Sequence, residues 1–322
     1  MIDSAVFVTT PDGRCLRTFV SGPRDSGAVV VLEAGLGASG LYWGLVHGML
    51  AERVRVVAYE RAGYGESTPD LAPRTLDRLA DDLDVVVDAQ EPSRLVLVGH
   101  SWGGPIVRRL AARRMAAGAP MDGLVLVDQS DEHAALYFRP STRRLFGFSA
   151  AVLEPAARLG LLRVQLRSLV EGMDPVAAAQ TLDASTNPGA ARAAAAEQRL
   201  VASELAGLRS RPPRLGDLPM RVISGMKETS ADRTPGPLIA AHHETVAAHP
   251  GAVHVRAEKS GHLVPNTEPE LVARQALELT LHVGDSGVDS SALVSLARSE
   301  CFKKTDTNAG RNVPRRDEFP RR

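Results

Sequence analysis

The sequence predicts an α/β fold built on a mostly parallel, doubly wound sheet with one helical insertion, and three observations carry that reading. Short apolar runs rich in β-branched residues recur without alternation, as expected of strands buried on both faces. Stretches of helical period separate them. One long Ala/Leu/Arg-rich stretch interrupts the series and carries no strand pattern.

At the start of the chain, Ala5–Thr9 and Cys15–Val20 flank the turn signal Pro11-Asp12-Gly13, which predicts an antiparallel hairpin. The continuous runs then begin at Ala28 (AVVVLE), Val54 (VRVVAY), Arg94 (RLVLVGH), Gly123 (GLVLVDQ), Met220 (MRVISG) and Ala252 (AVHVRAE). Between them, Arg74 to Gln90 sets Leu76, Leu79, Leu83 and Val86 at helical spacing among acidic residues. Pro105 to Ala117 and Thr267 to Val283 read as further helices. The interruption, Ser130 to Pro213, is expected to be a helical insertion over the C-terminal edge of the sheet. The expected division is a core of residues 1–129 and 214–283 and a helical cap of 130–213. A tail of 284–322 has the low hydrophobicity and mixed charge of a disordered segment.

The 322 residues are 44% hydrophobic, and 38 basic side chains balance 38 acidic ones, so no overall field attracts phosphate backbones or acidic membranes. A small-molecule substrate is expected, with no nucleic acid and no membrane as partner. Cys15 and Cys301 lie near opposite ends without a C-x-x-C pair, which reads as reduced thiols. No basic n-region precedes an apolar stretch and no run approaches ~18 apolar residues, so a cytoplasmic location is expected.

Chemistry is concentrated in RLVLVGHSWGGPIVRRLAA, where Gly99-His100-Ser101-Trp102-Gly103 falls between a strand pattern and a helix pattern. This is G-x-S-x-G in the context of a nucleophile elbow: a sharp turn lifts Ser101 Oγ above the sheet, and Gly99 and Gly103 leave room for neighbouring backbone. Gly104 adds clearance where the helix crosses the sheet. A serine hydroxyl needs a histidine base and a carboxylate to orient it. Of nine histidines, His262 stands in a Gly-containing loop between the last strand and last helix patterns, in the chain order Ser, acid, His.

With these residues in view, the stretch from roughly Ala5 to Val283 resembles the α/β-hydrolase-fold family. VVVLEAGLGASGLYW and VVAYERAGYGES are similar to its oxyanion loop and the Gly-rich turn that follows. The resemblance implies a cofactor-free hydrolase of esters, amides or related bonds. It also implies that the backbone N–H groups of Leu36 and Trp102 receive the oxyanion. Two departures stand out: Ala34-Gly35 replaces the His-Gly of many relatives, and Glu60 stands where Asp often precedes the Arg-x-Gly turn. Relatives with an Asp nucleophile, such as epoxide hydrolases and haloalkane dehalogenases, are disfavoured by the serine itself. Haloperoxidase-like and C–C bond hydrolysis on the same residues stay open, as does a catalytically silent ligand- or partner-binding protein.

Two carboxylates compete for the acid. Asp128 ends the fourth parallel run, and Glu228 follows Gly225 in VISGMKETSADR, with Asp232 a third candidate in the same loop. Asp128 is favoured because it is compact and sits at a strand end. No metal is expected: AHHETVAAH lacks the second histidine that a zinc helix needs at 247, so a solvated helix accounts better for it. Gly35 to Gly40 lacks the full context of a dinucleotide loop, which would leave the elbow unexplained. Trp43, Trp102, Tyr42 and Tyr64 suit either an apolar pocket or plain core packing.

Overall fold

The computed structural model of the chain describes residues 5–227 and 235–281. All six predicted runs form parallel strands: β3 (Ala28–Glu33), β4 (Arg55–Tyr59), β5 (Arg94–His100), β6 (Gly123–Val127), β7 (Met220–Gly225) and β8 (Ala252–Ala257). The hairpin of β1 (Ala5–Thr9) and β2 (Cys15–Ser21) adds antiparallel beside β4. A single sheet of eight strands results, in the order β1-β2-β4-β3-β5-β6-β7-β8.

Strand side chains leave the sheet alternately, so a run that is apolar throughout must have both faces covered. Leu95 and Leu97 face one layer with Leu79, Leu83 and Val86 of α2 (Leu76–Asp88) and Ile106 and Leu110 of α3 (Gly103–Ala116). Val96 and Val98 face the other, with Val46 and Leu50 of a helix at Gly44–Ala51 (α1) and Val272 and Ala276 of one at Pro269–Thr280. Strand β8 departs from the expectation of two buried faces: it lies at the sheet edge, and Val253 is half exposed. Helix α3 starts two residues before the predicted Pro105, directly on the Ser101 turn.

Residues 135–210 contain no strand. After a 3₁₀ turn at Ala135–Phe138 come α4 (Pro140–Arg158), α5 (Leu161–Gln165), a second 3₁₀ turn (Arg167–Val170), α6 (Pro175–Thr186) and α7 (Pro188–Ser210). Asp174 and Asn187 cap α6 and α7 through their side chains, each followed by a proline preset for the first helical position. Beyond β7 come α8 (Pro235–Ala248), a short α9 (Val264–Thr267) and α10, the Pro269–Thr280 helix.

The helical segment docks where strands end. Ser39 N–H donates to Ser185 Oγ of α6 (3.0 Å), Gly65 N–H to the Ala184 carbonyl (3.1 Å), and Asn266 Nδ2 to the Leu169 carbonyl (2.9 Å). Ser39, Gly65 and Asn266 follow the C-terminal ends of β3, β4 and β8, so the segment covers that edge of the sheet. The described residues belong to one compact unit. Among them no helix is long and apolar enough to cross a membrane. Cys15 is a free thiol, whereas Cys301 and the tail 284–322 lie outside the described residues.

Strand order reverses between β3 and β5: the chain steps from β3 to β4 on one side and to β5 on the other. Connections that diverge from adjacent strand ends leave a crevice between them, where open α/β sheets bind ligands. Here the Ala34–Ser39 loop after β3 and the Ser101 turn after β5 border it.

The turn after β4 rests on a buried carboxyl. Glu60 Oε2 accepts from Glu66 N–H (2.9 Å) and the Glu60 carbonyl from Ser67 Oγ (2.6 Å). Burial pushes the Glu60 carboxyl up to about 7. Between the ordinary value of 4.5 and about 7 the native state therefore holds more protons than the unfolded one, and the contribution of Glu60 to stability falls as pH rises through that window. A Glu60→Gln variant keeps an acceptor for Glu66 N–H and removes the titration. Its stability relative to the parent should rise by on the order of 3 kcal/mol between pH 4 and pH 8, read as the difference in urea unfolding at the two pH values.

Candidate active site

Ser101 has φ +52°, in the left-handed region that a non-glycine residue occupies at a cost of about 1 kcal/mol or more. The turn holds it there: Ser101 N–H donates to the Val127 carbonyl (3.0 Å), and the Ser101 carbonyl accepts from Ser130 N–H (2.9 Å) and Gly104 N–H (3.1 Å). Close approach explains the flanking glycines. A Cβ on Gly99 would lie 2.5 Å from the Gly103 carbonyl oxygen, and one on Gly103 would lie 2.4 Å from that of Glu33.

His262, in the loop after β8, brings Nε2 to 3.0 Å from Ser101 Oγ and Nδ1 to 2.7 Å from Asp128 Oδ2. A carboxylate only accepts, so Nδ1 carries the proton and the Nε2 lone pair faces the serine hydroxyl. Asp128 is held as firmly as Ser101. Its φ is +41°, its N–H donates to the Ile223 carbonyl (2.7 Å), and its Oδ1 accepts from Gly225 N–H (3.0 Å). Burial alone would raise its pKa, but the hydrogen bonds from His262 and from Gly225 N–H hold the carboxyl below the ordinary range. Glu228 and Asp232 lie outside the described residues.

The amides of Leu36 and Trp102 find no acceptor among the described residues. Trp102 follows Ser101 in the chain, and Leu36 follows Gly35, where a Cβ would lie 3.1 Å from Ser101 Cβ. The loop that carries Leu36 is held by one buried side chain. Arg61 Nη1 donates to Glu33 Oε1 (2.6 Å) and the Ala34 carbonyl (2.7 Å); Nη2 donates to the Gly35 carbonyl (2.9 Å) and Glu197 Oε2 (2.9 Å); Nε donates to Glu197 Oε1 (3.1 Å). Tyr59 Oη completes the support by donating to Glu33 Oε2 (2.5 Å), and Tyr64 Oη accepts from Gly37 N–H (3.2 Å). Arg61 thus fixes the loop through the carbonyls of Ala34 and Gly35.

Glu197 belongs to α7, so this knot also ties the helical segment to the sheet. Its carboxylate is shared with Arg74 Nη2 (2.8 Å), and Arg61 and Arg74 hold it below the ordinary range despite burial.

Several residues that sequence reasoning left unassigned surround the site. His100, inside the elbow, donates from Nε2 to the His262 carbonyl (2.9 Å), and its ring lies 4.8 Å from that of His262 and 5.3 Å from that of Tyr42. Burial, reinforced by His262, pushes His100 down to about 3, which keeps it neutral. His242 corrects the solvated-helix reading of α8: it is fully buried, donates from Nε2 to the Gln129 carbonyl (2.9 Å), and accepts on Nδ1 from Ser224 Oγ (2.7 Å). Ser224 in turn accepts from His254 Nε2 (2.8 Å). This directed chain braces the residue next to Asp128. Arg108 braces the same loop by a two-fold contact with Glu132, at 2.7 Å each. The only signal for either was a histidine or arginine on a helix whose packing face periodicity could not fix.

Among the described residues, Asp131, Glu132 and His133 bring ligand-type atoms within 4.8 Å of one another. Their carboxylates are already engaged, Asp131 by Thr245, Gln129 and His133, and Glu132 by Arg108. Trp43, Trp102, Tyr42 and Tyr64 are all buried, in keeping with core packing.

Residues 29–275 match the description of the Alpha/beta hydrolase family. The chain belongs to that family. A relative from Caulobacter vibrioides named "Putative carbamate hydrolase RutD" is 41% identical over 91 residues, which is 28% of this chain and 34% of the relative. The match thus spans about a third of that relative's length. Among solved structures, a hydrolase from Pseudomonas aeruginosa superposes with a TM-score of 0.67 at 23% identity over 86% of this chain and 98% of its own. The enol-lactonase from Burkholderia xenovorans gives 0.65 at 21% identity over 86% and 100%. At such identities the likeness is one of fold.

The Arg61 knot has a measurable weight. Glu197→Ala leaves Arg61 and Arg74 buried with their shared carboxylate gone, and should lower unfolding stability by about 3–5 kcal/mol in urea titrations. Glu154→Ala, which removes a partner that Arg158 and Arg192 share at the surface, should leave the urea midpoint nearly unchanged.

Proposed function

We propose that the protein is a cofactor-free serine hydrolase that cleaves a carboxylic ester or related acyl bond through an acyl-enzyme on Ser101. The observation that carries this reading is the continuous hydrogen-bonded series Asp128, His262, Ser101, ending on a strained turn, with the Leu36 and Trp102 amides left without an acceptor among the described residues. In this reading Ser101 Oγ attacks the acyl carbon while His262 Nε2 takes its proton. Negative charge develops on the former carbonyl oxygen, and the two amides receive it. Donors fixed in advance need no reorganisation at that moment, and losing one typically costs ~10²–10³ in turnover. His262 then returns the proton to the departing alcohol or amine. Water, deprotonated by the same nitrogen, attacks the acyl carbon and frees Ser101. Asp128 holds the imidazole in the required tautomer and stabilises it when charged.

The helical segment supports a role in substrate choice, because α6 and α7 touch the loops after β3 and β4 that border the crevice. Within the acyl class, carbamates deserve assay beside esters because of the name of the Caulobacter relative.

A fluorophosphonate probe should label Ser101, and Ser101→Ala should abolish both labelling and turnover of short p-nitrophenyl esters. A folded protein that takes up no probe would instead be a silent, ligand-binding member of the family. The acid is tested separately. Asp128→Asn should lower turnover by about 10⁴ with the fold retained by circular dichroism, whereas Glu228→Gln should act mildly. The reverse ranking would move the role to Glu228.

A further inference from the structure

Helix α4 is apolar on two opposite sides. Its inner side packs on α7: Leu153 joins Ala190, Ala193 and Ala194, Ala150 is buried, and Gln198 reaches the Phe146 carbonyl and Ser149 Oγ. The outer side is exposed among the described residues. Leu145 is 61% exposed, Phe148 69%, Val152 40% and Leu159, one residue past the helix, 74%. At 100° per residue these four fall within an arc of about 60°, and they run about 21 Å along the axis. Leu161 and Val164 of the adjoining α5 are exposed as well. Exposed apolar residues scattered singly need no explanation, but a continuous ridge does.

Charge along this ridge is one-sided. Residues 139–170 contain Arg139, Arg143, Arg144, Arg158, Arg163 and Arg167 against the single acid Glu154. Glu154 is taken by Arg158 and Arg192, and Arg163 pairs with Asp183. The other four arginines meet no carboxylate among the described residues. We infer that the α4–α5 ridge is a docking surface for an anionic lipid membrane, with Leu145, Phe148, Val152 and Leu159 entering the headgroup boundary and Arg144, at the border of their arc, on a lipid phosphate.

Charge and shape favour this occupant over two others. A two-fold contact between copies sets the ridge against itself and brings arginine against arginine. Residues 283–322 carry 8 basic and 6 acidic side chains, the same sign as the ridge, and offer it no complementary charge. A convex helix with apolar tips and Arg144 at their border, whose stem can lie along the apolar surface while its head stays wet, suits a planar interface. The expectation of no membrane partner rested on zero net charge of the whole chain, which says nothing of how charge is distributed. This inference does not depend on the hydrolase reading.

The test is co-sedimentation of the full chain with vesicles of phosphatidylcholine alone and of phosphatidylcholine with phosphatidylglycerol. Binding to the anionic vesicles should exceed that to neutral ones by about tenfold or more and weaken in high salt. Phe148→Glu/Leu159→Glu and Arg144→Glu alter exposed positions; each should reduce anionic binding by about tenfold or more, with far-ultraviolet circular dichroism and melting unchanged. Wild-type protein that stays in the supernatant with both vesicles overturns the inference. So does binding that both variants retain, or a dimer in sedimentation velocity that Phe148→Glu/Leu159→Glu dissolves.

Discussion

The buried guanidinium of Arg61 is the contact on which the rest of the site depends. Its donors all find acceptors, and those acceptors come from three places: the end of β3, the loop that presents Leu36, and helix α7. Arginine suits the position because it stays charged and its planar fork engages several acceptors in fixed directions, where a lysine ammonium would act as a point charge. Removing such a charge from water is costly, and only the ring of Glu33, Glu197 and two carbonyls offsets that cost. The same requirement fixes the geometry. A displaced loop or a detached α7 would leave a buried charge without partners, so the oxyanion loop and the helical segment are held to one arrangement.

Strain in the site falls on two residues, Ser101 and Asp128, on the ends of adjacent strands β5 and β6. Both are non-glycine residues at positive φ, and each is locked by backbone hydrogen bonds to a neighbouring strand end. Val127 accepts from Ser101, while Ile223 accepts from the amide of Asp128, so the two turns are linked through the sheet rather than through flexible side chains. Parallel register makes this arrangement available, because it aligns the C-terminal ends of β5, β6 and β7 side by side. Around it, a chain of hydrogen bonds runs from His254 through Ser224 and His242 to the carbonyl of Gln129, the residue next to Asp128.

The fold was legible because each strand announces itself locally: a run such as RLVLVGH admits few other readings, and the bounds of β3, β5, β6 and β7 follow from composition. The hairpin was legible from its turn residues. Strand β8 was misread as buried on both faces because position in the sheet, which exposes Val253, is a property of topology and not of the run itself. Within the site, the Ser101 turn and the His262 loop have local sequence signatures. The choice between Asp128 and Glu228 had none, since it turns on which carboxylate comes within hydrogen-bond reach of an imidazole 134 residues away along the chain. The Arg61–Glu197 pair, 136 residues apart, was invisible for the same reason. His242 was misread because the period of α8 shows a repeat but not which side of the helix meets the sheet.

Charge shows the same limit from another direction. The balance of 38 acidic and 38 basic residues rules out a strong overall field. It cannot rule out a local one, because pairing removes charges from the surface unevenly. Arg14 is spent on Asp82, Arg61 and Arg74 on Glu33 and Glu197, and Arg108 on Glu132, all of them buried. Each such pair takes both signs out of contact with solvent and leaves the surface to whatever remains nearby. On α4 and α5 what remains is arginine beside exposed leucine, valine and phenylalanine. A ligand that meets the protein at atomic distance responds to that neighbourhood, since at physiological salt charges more than ~8 Å away are largely screened. Composition therefore constrains long-range attraction, while short-range recognition is decided by which ion pairs the fold has already made.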